Sequence, residues 1–124
     1  MSWNNIKLFP ADTAFSRYLR LKHRKCQKCN RPGFGDENIH GLEASHYFSR
    51  GKWNVRYDES NVDCLCKACH KGFHKAPSEY DRWKEDQLGE REFGLLTLRA
   101  NSRSDLGSSY WKTLTKKQAE GIFK

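Results

Sequence analysis

The sequence predicts a small α+β protein in which a β-hairpin and a helix are stapled together by a metal ion and flanked by helices at both ends. Three observations predict it. Four of the five cysteines form two Cys-x2-Cys pairs, Cys26/Cys29 and Cys66/Cys69. The stretch between the pairs is punctuated as strand, turn, strand. Outside the pairs, apolar residues recur at helical spacing. A chain of 124 residues with 36% hydrophobic content and mean hydropathy −0.95 has little apolar material for a core, and a structural metal is a common remedy. Its length suits one domain over residues 1–124, divided into an N-terminal helix at 11–25, a metal-stapled core at 26–76 and a helical extension at 77–124.

Residues Ala11 to Lys25 predict the first helix, with Asp12 or Thr13 as its cap and Phe15, Leu19 and Lys22 on one face. Its second half carries Arg17, Arg20, Lys22, Arg24 and Lys25 with no acid among them. Cations suit a helix C-terminus; a face that touches phosphates is the functional alternative. Cys26-Gln-Lys-Cys29 makes a metal knuckle, and the Pro, Gly and Asn residues of 30–41 make a loop. Leu42 to Ser49 reads as a strand, Arg50-Gly-Lys52 as a turn, and Trp53 to Tyr57 as a second strand. Residues 61–65 then lead into the second knuckle, from which a short helix carries His70 and His74.

Pro77 with Ser78-x-x-Asp81 opens a further helix that Gly89 ends. Another begins near Glu90 and carries Phe93, Leu95, Leu96 and Leu98. Residues 101–109 are polar and read as loose. Thr115-x-x-Gln118 is a capping box for a last short helix with Ala119, Ile122 and Phe123 on one side.

Composition bounds the function. The N-terminus has no basic segment followed by an apolar run, so it is not a secretory signal, and no stretch approaches the roughly 18 apolar residues of a membrane span. The expected location is the cytoplasm, where paired Cys-x2-Cys motifs favour zinc over disulfides. The formal net charge of +8 favours a polyanion, most simply nucleic acid. Zinc held by four thiolates carries about −2 and lowers that working charge to about +6.

Four thiolates close a tetrahedral shell, so a zinc on Cys26, Cys29, Cys66 and Cys69 would be structural. Cys64 lies two residues from Cys66 and is left for the core, with replacement of a ligand as its alternative. A second constellation lies in and beside the hairpin: Ser45-His46, then Asn61, then His70 and His74. The last two are four apart on a predicted helix and share one face, a standard grip on a divalent ion.

In the order Leu42-Glu-Ala-Ser-His-Tyr-Phe-Ser-Arg-Gly51, then Asn61-Val-Asp-Cys-Leu-Cys-Lys-Ala-Cys-His-Lys-Gly-Phe-His74, the stretch from Cys26 to His74 resembles the HNH (ββα-metal) endonuclease family. The resemblance implies a β-hairpin and helix around one catalytic metal, Mg2+ or Mn2+, beside the four-cysteine zinc. It makes His46 the general base. Asn61 either holds the loop that aims His46 or ligates the metal, and His70 and His74 bind the metal. The implied reaction is hydrolysis of DNA phosphodiesters to 5′-phosphate and 3′-hydroxyl ends. Arg50, Lys52 and Arg56 flank the site and either grip neighbouring phosphates or are ordinary solvated charges.

The helix before Cys26, Leu42 to Gly51, Glu79-Tyr-Asp-Arg-Trp-Lys84 and Phe93 to Asn101 further resemble the lambdoid phage NinG (Rap) recombination nucleases. That implies a bacterial or phage-infected cell and DNA that is branched or contains single strands. One position departs from the HNH pattern. Where many members carry a metal-binding Asp or His before the base, this chain has Ser45, and Glu43 is either a substitute ligand or an exposed strand residue. The competing readings are a non-catalytic zinc-ribbon module that binds DNA and an adaptor whose zinc only folds it.

Overall fold

The computed structural model describes residues 7–102 and 106–124, with side chains from residue 108 onward in the second stretch. The described residues form a two-stranded antiparallel sheet and six α-helices. Helix α1 spans Pro10–His23. Proline at its start costs nothing, because the first amides of a helix lack partners in any case. Asp12 does not sit at the cap position, which is Phe9. It lies inside the first turn and accepts the Phe9 amide at 2.7 Å. The helix ends at Arg24 in the left-handed region, φ 56°. Phe15 and Leu19 are buried as their spacing predicts, whereas Lys22 is exposed and paired with Glu59 at 2.6 Å.

The strands differ from expectation. Strand β1 is Leu42–His46 and ends three residues earlier than predicted. Residues Trp53–Val55 form a turn of 3-10 helix, and the segment from Trp53 to Tyr57 is no strand. Strand β2 is Val62–Cys66, in a register that pairs Ser45 with Asp63 and His46 with Val62. Two physical facts account for the change. All five residues of β2 are buried, so it lacks the alternation that marks a half-exposed strand. The apparent alternation at 53–57 arises because Val55 packs with Leu96 and Ala100 while Arg56 turns into a buried ion pair.

Helices α2 (Lys67–Lys75), α3 (Pro77–Leu88) and α4 (Glu90–Ala100) follow as predicted. Gly89, at φ +83°, makes the joint between α3 and α4 in a conformation that favours glycine. Helix α5 (Leu106–Thr113) covers residues 106–109, which read as loose in the sequence. Residues 103–105 of that stretch lie outside the described residues. Helix α6 (Lys116–Ile122) starts at the predicted capping box, with the Gln118 amide donating to Thr115 Oγ1 at 3.2 Å and the Thr115 amide to Gln118 Oε1 at 2.9 Å. It returns to α1, where Ala119 packs with Ala11 and Ala14, and Phe123 meets Phe15 at 5.1 Å between ring centres. The main core joins Phe15 and Leu19 of α1 to Leu42, Val62 and Leu65 of the sheet and to Phe73 and Tyr80 of α2 and α3.

Candidate functional site

The two knuckles bring Cys26, Cys29, Cys66 and Cys69 together, with one sulfur from each within 4.8 Å of every other. Cys29 Sγ and Cys66 Sγ are 3.7 Å apart. That is too long for a disulfide and close to the edge of a tetrahedron drawn about 2.3 Å around a zinc ion. The donor set and its spacing therefore fit zinc. Hydrogen bonds lock the first knuckle onto β2: the Gln27 amide donates to the Cys64 carbonyl at 2.8 Å, and the Cys64 amide to Gln27 Oε1 at 2.7 Å. Cys64 itself is buried in the core and stands outside the cluster.

His46, His70 and His74 line one cleft of about 450 Å³, together with Arg50, Tyr80 and Asp81. A second cleft of about 310 Å³ shares His46, His70 and Arg50 with the first and reaches Thr13, Ser16 and Arg20 of α1. The structure thus brings the three histidines of the sequence motif to one place.

His46 stands at the end of β1, where the chain leaves the sheet. Its Nε2 lies 2.9 Å from the Arg56 carbonyl oxygen. A carbonyl only accepts, so Nε2 carries the proton and the lone pair is on Nδ1. Burial, aided by the Arg50 charge, pushes its pKa down to about 4. The ring is therefore neutral at physiological pH, with Nδ1 unprotonated.

Asn61, fully buried, is a loop holder. Its Oδ1 accepts the Phe48 amide at 2.7 Å, and its Nδ2 donates to the carbonyls of Phe48 and Val55, each at 3.0 Å. Of its two expected roles this is the one the geometry fits, since the amide is committed on both sides to the loop that carries Val55 and Arg56.

Arg56 corrects an expectation. It is not a surface cation that could grip DNA but is 2% exposed. Its Nε and Nη2 donate to Asp12 Oδ1 and Oδ2 at 2.8 and 2.7 Å, and its guanidinium lies 4.1 Å over the Trp53 ring. Burial alone would raise the Asp12 pKa. The bonds from Arg56 and the Phe9 amide outweigh burial and hold it below its ordinary 3.8. Arg50 and Lys52 do reach the surface: Arg50 is half-buried at both clefts, and Lys52 is exposed.

Glu43 is a strand residue with a 40% exposed side chain, and its Oε1 accepts from His70 Nδ1 at 2.9 Å. With the carboxylate accepting, the His70 proton sits on Nδ1. Ser45 is buried, and its hydroxyl shares a hydrogen bond of 3.0 Å with the Tyr80 hydroxyl, which turns it away from any ligand role. Among the described residues, the four cysteines are the only group of three or more His, Cys, Asp or Glu side chains gathered tightly enough to hold a metal ion. His70, His74 and Glu43 do not form a second such group.

The basic helix is less bare than its sequence. Arg17 pairs with Glu37 at 2.7 Å and Lys22 with Glu59 at 2.6 Å, acids supplied by distant segments. The sequence offers Asp12 or Thr13 as a helix cap and carries no signal for the Asp12 partner 44 positions away. Nor does it mark Asp63, Lys84 and Tyr80, which form a buried polar network under Ser45. No helix of the described residues is long and apolar enough to cross a membrane. Compared with known protein families, with curated proteins and with solved structures, the chain matches none of them.

Proposed function

We propose that this protein is a metal-dependent DNA endonuclease of the HNH type, in which His46 activates the attacking water. The observation that carries the reading is the state of His46: a neutral imidazole beside a cleft, with Nε2 spent on a backbone carbonyl and the lone pair left on Nδ1. A buried histidine that served only to fill space would have no need of a cleft shared with two further histidines.

His46 Nδ1 takes one proton from a water molecule as the water oxygen bonds to phosphorus. The bond from phosphorus to the 3′ oxygen breaks in line, and the leaving oxygen takes its proton from solvent. His70, through Nε2, and His74 would hold a divalent ion, with Glu43 fixing the His70 ring from behind. Such an ion, Mg2+ or Mn2+, supplies positive charge where the leaving oxygen becomes negative. Arg50, which lines both clefts, and the exposed Lys52 would meet flanking phosphates, and binding would then fall steeply with salt. The net charge of +8 supports a polyanionic substrate. The likeness to phage recombination nucleases points to branched or partly single-stranded DNA and to the cytoplasm of a bacterial or phage-infected cell.

One observation favours a second reading. Since, among the described residues, only the cysteines gather as a cluster of three or more potential ligands, a non-catalytic zinc module that binds DNA accounts for the tightest metal site without using the histidines. Incubating linear, nicked and branched DNA with the protein, with and without Mg2+ or Mn2+, separates the two. The nuclease reading expects metal-dependent cutting that His46→Ala lowers by about 100- to 10,000-fold while DNA binding and zinc content persist. His74→Ala should weaken metal affinity and be partly restored by excess Mn2+. Near wild-type cutting by both variants would remove the assignment. Equal rates on all DNA forms would remove only the recombination likeness.

A further inference from the structure

The carbonyl that orients His46 belongs to a residue gripped on every side. Arg56 donates through Nη1 to the Arg50 carbonyl at 3.0 Å and through Nη2 to the Lys7 carbonyl at 3.0 Å, beside its two bonds to Asp12. Asp12 is itself held by the Tyr57 hydroxyl at 2.9 Å and the Phe9 amide at 2.7 Å. On the other side of the same peptide run, Asn61 holds the Val55 carbonyl. The peptide that faces His46 is therefore pinned through its own side chain to helix α1, outside the hairpin and α2.

We propose that the Asp12–Arg56 pair is a positioning device for the base: it holds the Arg56 carbonyl against His46 Nε2 and so fixes the tautomer that leaves Nδ1 able to accept a proton. The attraction within a buried ion pair is by itself a weak source of net stability, because desolvation offsets most of it. What a bidentate fork supplies and an apolar pair cannot is direction. Here the direction is passed through one residue to the nitrogen of an imidazole. Without it, His46 is free to put its proton on Nδ1, which removes its basic lone pair from the water. The effect on rate rests on the nuclease reading; the effect on the tautomer does not.

The test is nitrogen NMR of the zinc-loaded full chain labelled with 15N-histidine, together with steady-state cleavage. In the wild-type protein the His46 signals should show a protonated Nε2 and a bare Nδ1. In Asp12→Asn and Arg56→Lys the two tautomers should mix. kcat should fall about 10- to 100-fold, as when the hydrogen-bond partner behind a metal-bound histidine is lost, with KM and DNA affinity unchanged. Far-UV circular dichroism and zinc content establish that each variant is folded. Tyr57→Phe, which removes only the phenol bond to Asp12, replaces them where they do not fold, with a smaller loss in the same direction. The proposal is overturned by an Nδ1-protonated His46 in the wild-type protein, a reading that needs no variant. It is equally overturned by folded variants that keep the wild-type tautomer and kcat. If no form of the protein cuts DNA, the nuclease reading falls, and the tautomer shift still decides the positioning claim.

Discussion

Two buried ion pairs tie helices to the strand–loop–strand core, and they are built differently. On one side Asp12 of α1 meets the fork of Arg56; on the other, Asp63 of β2 meets Lys84 of α3 at 2.8 and 3.0 Å. The Asp12 carboxyl is held below its ordinary range. Asp63 goes the other way: burial pushes it up despite Lys84, Tyr80 and Gln87, and burial likewise pushes Lys84 down. A planar guanidinium matches both carboxylate oxygens and is weakly hydrated, so taking it out of water costs less than burying a compact ammonium. The first pair is therefore at ease with its charges, and the second is held against a desolvation cost. Both stand next to the candidate base, the first through the Arg56 carbonyl and the second through Tyr80, which bonds both Asp63 and Ser45.

The largest effect should come from removing the corner on which the second pair depends, since β2 runs from Asp63 straight into Cys66. Chelating zinc should abolish cooperative unfolding and most far-UV signal, because structural zinc in small domains is worth about 10–16 kcal/mol. A metal-free chain with an unchanged thermal transition would refute the four-cysteine site. Next, breaking either pair alone, by Lys84→Met or Arg56→Met, should cost about 3–5 kcal/mol in urea unfolding, because an uncompensated charge stays buried. The double variants sharpen the contrast. Asp63→Leu with Lys84→Met should recover most of that loss. Asp12→Leu with Arg56→Met should not, since the Lys7 and Arg50 carbonyls and the Phe9 amide lose their partners as well.

Acid separates the pairs by sign. Asp12, lowered in the folded state, contributes stability that is complete above 3.8 and lost as pH falls through its folded value. Asp63, raised, contributes the reverse slope, in the window above 3.8. Asp12→Asn should therefore flatten the stability curve below 3.8, and Asp63→Asn should steepen it above 3.8. Curves of one shape for both variants would show that the pairs are alike. The smallest effect belongs to the surface pair Arg17–Glu37, whose side chains are 49% and 45% exposed. Glu37→Gln should change stability by no more than about 1 kcal/mol, and a loss as large as that of Lys84→Met would mean that burial is not what distinguishes the two inner pairs.

What could be read from the sequence was written locally. Cys26/Cys29 and Cys66/Cys69 announce themselves by spacing, α6 by Thr115 and Gln118, and the end of α3 by Gly89. His46, His70 and His74 reach one cleft because a short strand and a helix of one-turn spacing carry them there. The remainder depended on partners far away in the chain. Strand β2 has no alternation to read because it is buried on both faces. Arg56 looked like a surface cation because nothing near it announces Asp12, and the bond from His70 to Glu43 was hidden because the two stand 27 positions apart. Helix α5 was hidden in a polar stretch, and only the fold supplies Tyr57 and Phe123 for Trp111 to pack on, at 4.6 and 5.6 Å between ring centres.

Cys64 turns this arrangement into a reporter. It is the one cysteine outside the cluster, and burial pushes its thiol up to about 12, so almost none of it is the reactive thiolate at neutral pH. With zinc holding the other four, an alkylating reagent should find the native chain nearly silent. Once the metal leaves and the domain opens, five sites become available, and the mass of the intact chain should rise by five additions with few intermediate species. Counting those additions over time measures how often the protein opens, without a probe having to be built into it.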